Sequence, residues 1–252
     1  MTSFAAGEQP WIERLGNLRN VVRQEVIARQ IAPLAAQGMT VLDAGCGQGT
    51  QALRLASSGC RVTAVDPSSD LLDLCAEAAL AQRFDIELLH GRIEDLPELC
   101  GGRTFDLVCC HGVMMYLDDW ERAVGDLSER MTADGRISIT FRNGHALAMR
   151  PGLRGDWAAA LTAFDSNEYV NELSLAAHAS RADEIQAALA SAGLRPVAWY
   201  GVRVLTDAVA ADVPPPDPET LELLLRAEER AGSAEPYKWM ASQLHVIAAS
   251  SV

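Results

Sequence analysis

The sequence predicts an α/β fold: a doubly wound, seven-stranded, mostly parallel sheet with a late insertion. Two observations predict the sheet. Short apolar runs alternate with helical periodicity from residue 39 to residue 142, which implies parallel strands joined by right-handed crossovers. A glycine-rich turn, VLDAGCGQG at 41–49, joins the first of those runs to the first of those helices. A third observation predicts the insertion: the rhythm stops after residue 142 and resumes only near residue 181.

The elements follow in order. Ile12, Leu15, Leu18, Val22, Val26, Ile27 and Ile31 recur mostly three or four apart, so residues 11–37 read as helical and 1–37 as an N-terminal helical region. MTVLDAG is the first strand, and a helix follows from about Thr50. CRVTAVD is the second, before a helix from about Ser69 that carries Leu71, Leu72, Leu74 and Cys75. FDIELLHG, a short acidic loop, FDLVCCHG, a helix around Trp120–Met131 and GRISITFRN complete five strands. Residues 143–180 read as irregular or loosely helical, ahead of a helix at Arg181–Ala192. Two last strands, RPVAWYGVRVL and QLHVIAAS, flank a helix over Pro218–Ala231 that follows the linker DVPPPDP. The chain, 1–252, reads as one domain, with 143–180 and 207–237 as lid segments on the substrate side, because long loops at the carboxyl ends of strands commonly carry function.

Composition narrows the class. With 252 residues, 49% of them hydrophobic, the chain is long enough for a full core. No apolar run approaches the roughly 18 residues of a membrane span. MTSFAAGEQPWIERL lacks the basic and apolar regions of a signal peptide. The six cysteines show neither a disulfide framework nor metal-ligand spacing, so a reducing cytoplasm is expected and no metal. A net charge of −13 argues against broad attraction to nucleic acid. The charge is uneven. Four arginines and no acid lie between Arg136 and Gly155, whereas Asp207–Glu235 holds eight acids against Arg226 and Arg230. Lys238 is the only lysine, which leaves arginine as the tool for binding anions.

In a doubly wound sheet, ligands bind beyond the carboxyl ends of the strands. Asp43 stands at the end of the first strand, and Gly45, Gly47 and Gly49 follow. Glycine at that density lets a ligand lie against backbone, or solves a tight strand-to-helix packing problem. Asp66 ends the second strand, seventeen residues after Gly49, where an acid accepts hydrogen bonds from a ribose or caps the next helix. The spacing is G-x-G-x-G, not the G-x-G-x-x-G of dinucleotide sites. A carboxylate two residues before the first glycine repels a pyrophosphate and suits the ammonium of an amino acid. The pattern therefore points to S-adenosyl-L-methionine, a nucleoside joined to methionine without phosphate.

VLDAGCGQG, AVDPS, HGRIEDLPE and FDLVCCHGVMMYLDD together resemble the motif series of class I S-adenosylmethionine-dependent methyltransferases, over about residues 20–142. That resemblance implies a Rossmann-like methyltransferase fold and a set of roles. Asp43, Gly45 and Gly47 would meet the methionine part, Asp66 the ribose hydroxyls, and Pro67 the adenine. Ile93 and Glu94 would lie at the adenine edge, the His111 backbone would help hold the amino group, and Arg23 would pair with the methionine carboxylate. FRNGHALAMRPGLRGDW, GVRVLTD, EPYKWMASQLHVIA and VVRQ are similar to the bacterial tRNA methyltransferases that esterify the carboxyl of wobble 5-carboxymethoxyuridine. This second resemblance implies Asn143, His145, Arg203 and Tyr237 as substrate-side residues. The turn departs from that family's usual GGGEG, and a chain with one lysine departs from what a tRNA partner needs.

Methyl transfer is an in-line displacement, so the protein mainly aligns nucleophile, methyl and sulfur. A hydroxyl or amine acceptor would use a base, for which His111, His145 and Tyr116 are candidates. A carboxylate acceptor needs only cations to orient it. Arg142, Arg150, Arg154 and Arg203 suit that task, since a planar fork matches carboxylate or phosphate. Solvated loop arginines are the plainer reading of Arg150 and Arg154, and an internal pair with Asp207 the plainer reading of Arg203. His145 follows a turn and is either structural or catalytic. His245 reads as a core or supporting histidine, and Tyr237 stacks on a base or covers a core edge. The expected partner is an anionic small molecule or a modified tRNA nucleoside. A small-metabolite O- or N-methyltransferase is the alternative, followed by a non-catalytic binder of the same cofactor or a misread dinucleotide oxidoreductase.

Overall fold

The computed structural model describes residues 7–251. The helices are α1 (Glu8–Arg14), α2 (Leu18–Ile31), α3 (Thr50–Ser57), α4 (Ser69–Gln82), α5 (Leu96–Leu99), α6 (Trp120–Ser128), α7 (Met149–Leu153), α8 (Trp157–Asp165), α9 (Ala182–Ser191) and α10 (Pro218–Ser233). The strands are β1 (Thr40–Ala44), β2 (Arg61–Asp66), β3 (Ile86–His90), β4 (Phe105–Cys110), β5 (Met131–Arg142), β6 (Glu168–Val170), β7 (Ala176–His178), β8 (Leu194–Val202) and β9 (Gln243–Ser250). Seven of them form one mostly parallel sheet flanked by helices, in the order β3-β2-β1-β4-β5-β9-β8. The pairs β1–β2, β1–β4, β2–β3 and β4–β5 are parallel. The order reverses beside β1, which makes its carboxyl end a switch point where ligands bind.

Two compact units make up the described chain. Residues 28–140, 185–198 and 246–251 form one, and residues 7–27, 141–184 and 199–245 form the other. In the first, the middle strands read as unbroken apolar runs because a parallel strand is covered on both faces. Val41, Ala52, Leu55, Val62, Ala64, Leu107 and Cys109 share its core. Caps end the elements where the sequence supplies them: Ser68 Oγ accepts from the Leu71 amide at the start of α4, and Asp119 does the same for Arg122 at α6.

The second unit holds both segments expected to form a lid. Residues 143–180 are more regular than expected, with α7, α8 and the antiparallel hairpin β6–β7. The single N-terminal helix is broken into α1 and α2. Gly16 and Asn17 stand at the break, and Asn17 Oδ1 accepts from the Asn20 amide (2.9 Å), restarting the helix. Leu18, Val22, Val26, Ile27, Val202 and Leu225 form this unit's core. Arg203, expected within a strand, lies one residue past the end of β8 in a left-handed conformation, φ 58°.

The turn after β1 answers part of the question posed by its glycines. Gly45 and Gly49 adopt φ of 76° and 83°. A Cβ on Gly45 would lie 2.3 Å from Val113 Cγ2, and one on Gly49 2.2 Å from Cys75 Sγ. Packing alone therefore demands glycine at both. Gly49→Ala is expected to lower stability in urea unfolding by about 2–4 kcal/mol, from the sum of backbone strain and overpacking; an unchanged midpoint would mean that the turn has slack.

Candidate functional site

Two carboxylates close the ends of β1 and β2 in the first unit. Asp43 and Asp66 are 3% and 6% exposed. Asp66 Oδ2 accepts from the Gly47 amide (2.8 Å) and Oδ1 from the Ser68 amide (2.9 Å), which ties the glycine turn to the start of α4. Ser68, not Asp66, supplies the cap of that helix. Burial, with the charge of Asp66 second, pushes the Asp43 carboxyl up to about 7, against a backbone hydrogen bond from Ala52.

The other residues named from sequence for this site lie in the same unit, except Arg23. Pro67 is exposed, and its carbonyl accepts from His90 Nε2 (2.9 Å). Ile93 is buried and Glu94 exposed in the short turn Ile93–Asp95. His111 follows β4 half-buried, its Nε2 2.9 Å from Ser138 Oγ. Tyr116 ends the turn Met114–Tyr116. Arg23 belongs to the second unit, where its charge acts on Arg203.

The chemistry of this site fits S-adenosylmethionine. Two buried carboxylates offer acceptors, and the cofactor's ammonium and two ribose hydroxyls are donors. A pyrophosphate, all acceptors, would meet repulsion there.

The second unit carries the opposite chemistry. Asp207, 8% exposed, takes a two-pronged pair from Arg150: Nε to Oδ2 at 2.9 Å and Nη2 to Oδ1 at 2.6 Å. Arg203 Nη2 lies 3.3 Å from Oδ1 and Arg142 Nη1 3.7 Å from Oδ2. Glu172 pairs with Arg19, with Arg154 at 3.1 Å and with Arg150 at 3.7 Å. Five guanidiniums thus surround two carboxylates. Burial would raise the Asp207 carboxyl, but Arg203, Arg142 and Arg150 hold it well below the usual range. Burial, then the neighbouring arginines 150, 142 and 23, brings Arg203 down to about 9, with Asp207 opposing. The buried Nε atoms of Arg19, Arg142 and Arg203 meet no protein acceptor. Ser242 Oγ accepts from Arg203 Nη2 (2.8 Å) and also from Arg142, and the Arg142 guanidinium lies 5.5 Å from the Tyr169 ring centre.

The remaining candidates divide. Asn143 is fully buried, and its amide is committed: Nδ2 donates to the carbonyls of Trp239 and Ala241 (both 2.9 Å), and Oδ1 accepts from the His145 amide (3.0 Å). It fixes the Tyr237–Met240 turn. His145 is exposed, its Nε2 3.4 Å from the Ala182 amide. Tyr237 is 54% exposed on the turn that Asn143 holds. His245 is fully buried, its imidazole pushed down to about 3 by burial. Arg19, Glu172 and Glu228 were missed by sequence reasoning. Arg19 follows Leu18 on the apolar face of α2, and Glu228 sits three residues after Leu225 on that of α10; a charge on such a face was the available signal.

Comparison with known proteins agrees with this geometry. The family described as "Methyltransferase domain" matches residues 41–135, the stretch from β1 into β5. The chain is an S-adenosylmethionine-dependent methyltransferase. Among particular proteins, it is similar to the tRNA 5-carboxymethoxyuridine methyltransferase of Escherichia coli (strain K12), at 26% identity over 236 residues, covering 92% of this chain and 88% of the relative. It is also similar to the ubiquinone biosynthesis O-methyltransferase of Coxiella burnetii, at 28% over 148 residues, 57% of this chain and 61% of the relative. In fold it is similar to magnesium protoporphyrin IX methyltransferase from Synechocystis PCC 6803, a structure with bound SAH, at a TM-score of 0.64 and 17% identity, covering 98% of this chain and 94% of that one.

The raised Asp43 carboxyl has a consequence for stability. Its folded value, about 7, exceeds the ordinary 3.8, so its contribution is full at low pH and is lost as pH rises through 7. Asp43→Asn is expected to gain on the wild type by about 1–3 kcal/mol between pH 5 and pH 8 in cofactor-free urea unfolding. A difference that is flat with pH would show that Asp43 is ionised throughout.

Proposed function

We propose that the chain methylates an anionic acceptor, and that the acceptor is a carboxylate held by the arginines of the second unit. The observation that carries this reading is the cluster itself: five guanidiniums share two carboxylates, and three buried Nε–H donors meet no protein acceptor. An excess of buried cations is stable only when an anion joins it. The carboxyl of a wobble 5-carboxymethoxyuridine is the first candidate, supported by likeness to the Escherichia coli enzyme along 92% of this chain.

S-adenosylmethionine supplies a methyl group on a cationic sulfur, ready for in-line displacement. Asp43 would receive its ammonium and Asp66 its ribose hydroxyls, with Gly45 and Gly47 against the methionine, Pro67, Ile93 and Glu94 around the adenine, the His111 backbone at the amino group, and Arg23 on the carboxylate. On the acceptor side Arg203 orients the carboxylate, Tyr237 offers a face to stack on a base, and His145 borders the site. A carboxylate is already a nucleophile, so none of His111, His145 or Tyr116 needs to remove a proton.

A second reading, a small carboxylate metabolite, is favoured by one observation. The net charge is −13, and the only lysine, Lys238, already pairs with Glu235 (2.9 Å) and lies 5.0 Å from the Trp239 ring centre. A net negative surface opposes the phosphates along a tRNA.

The deciding experiment incubates the enzyme and S-adenosylmethionine with tRNA from a deletion strain, with a metabolite extract alongside, and identifies the methylated product by mass spectrometry. A methyl ester on 5-carboxymethoxyuridine supports the first reading; transfer to a small acid and none to tRNA selects the second. Asp66→Ala is expected to weaken cofactor binding by about 1–3 kcal/mol in calorimetry, as hydrogen bonds to a charged group are lost. Arg203→Ala is expected to reduce turnover and acceptor affinity with cofactor affinity within about 0.5 kcal/mol, and Arg203→Lys to restore only part, because a point charge does not reproduce a fork. A large fall in melting temperature with normal activity when cold would make Arg203 a structural partner of Asp207.

A further inference from the structure

Glu228 stands on α10 with 1% of its surface exposed. Its carboxylate accepts four hydrogen bonds from three consecutive residues. Oε2 takes the Val204 amide at 2.8 Å. Oε1 takes the amides of Leu205 (3.1 Å) and Thr206 (2.8 Å) and the Thr206 hydroxyl (2.6 Å). Successive amides turned toward one anion form a nest, and the chain that carries them must curl around it.

The curled segment begins at Arg203 and ends at Asp207. Helix α10 also touches the chain just before it: a Cβ on Gly232 would lie 2.2 Å from the Gly201 carbonyl oxygen. Glu228 and Gly232 are four residues apart, so they share one face of the helix. That face grips the backbone on both sides of Arg203.

The grip matters because Arg203 is strained. Its φ of 58° is left-handed, which for a non-glycine residue costs about 1–3 kcal/mol and persists only where the surroundings over-determine it. A relaxed φ would swing the guanidinium away from Ser242 Oγ (2.8 Å) and Asp207 (3.3 Å). We propose that Glu228 is a positioning residue for methyl transfer, one that holds Arg203 and Asp207 in the geometry that receives the acceptor's carboxylate. The proposal rests on the anionic-acceptor reading above. It also explains why a carboxylate is buried here: four donors converge and need acceptors only, whereas a glutamine amide would set its NH2 against one of them.

The test uses the full chain and two probes, free 5-carboxymethoxyuridine and, as the control without a carboxylate, uridine. Calorimetry gives the affinity of each probe and of S-adenosylmethionine for the wild type, Glu228→Gln and Thr206→Val, and each protein is also melted. The wild type is expected to prefer 5-carboxymethoxyuridine. Glu228→Gln is expected to lose about tenfold in affinity for it, the scale of one hydrogen bond to a charged group, with cofactor affinity within about twofold. Thr206→Val, which removes one of the four donors, is expected to lose less in the same direction. If Glu228→Gln melts earlier yet binds the nucleoside as the wild type does, Glu228 only braces the fold and the proposal is wrong. If Glu228→Gln does not fold, Thr206→Val decides, and an unchanged affinity overturns the proposal. A wild type that does not distinguish the nucleoside from uridine overturns the wobble-uridine reading, and this inference as tested with it, a result visible without any variant.

Discussion

A carboxylate buried among guanidiniums is the constraint on which the second unit's arrangement depends. Removing one partner of such a group leaves an uncompensated buried charge, at about 3–5 kcal/mol. Asp207 therefore fixes where Arg142, Arg150 and Arg203 lie, and Glu172 does the same for Arg19 and Arg154. These arginines come from α2, β5, α7 and the segments that follow α7 and β8. Two acids thus gather stretches of chain far apart in sequence. They do so without neutralising the cluster, and that remainder of positive charge is the basis for reading it as a site.

The first unit inverts this logic. Burial, with the charge of Asp66 added, raises the Asp43 carboxyl to about 7. A fold tolerates such a pair where a cation or strong donors will meet it. One unit holds surplus acceptors and the other surplus donors.

How much of this was legible in the sequence follows from the range of the interactions. Strands β1, β2 and β4 could be read because burial on both faces leaves continuous apolar runs, and α10 because Asp217 and Pro218 mark its first turn. The hairpin β6–β7 has three residues in each strand and α7 has five, too short for periodicity to register. The end of β8 was invisible for another reason. Val204 and Leu205 continue a β-like pattern, but their amides are taken by Glu228, more than twenty residues later. Asn143-Gly144 reads locally as a turn, and nothing nearby reveals that the amide is committed to the carbonyls of Trp239 and Ala241.

The glycine turn shows why a motif legible in sequence still needs the structure to be understood. Gly45 and Gly49 are required by Val113 and Cys75, side chains of the protein itself. Gly47 is left-handed too, φ 55°, and its amide donates to Asp66. The turn therefore does two jobs with one residue type. The outer glycines let α3 and its neighbours pack closely, and the middle one ties the backbone to the acid that defines the site. Spacing conserves no trace of that division of labour, since all three positions read alike in G-x-G-x-G. A side chain at Gly49 acts through packing against Cys75, whereas one at Gly47 keeps the amide that orients Asp66 and must hold a left-handed φ of 55°.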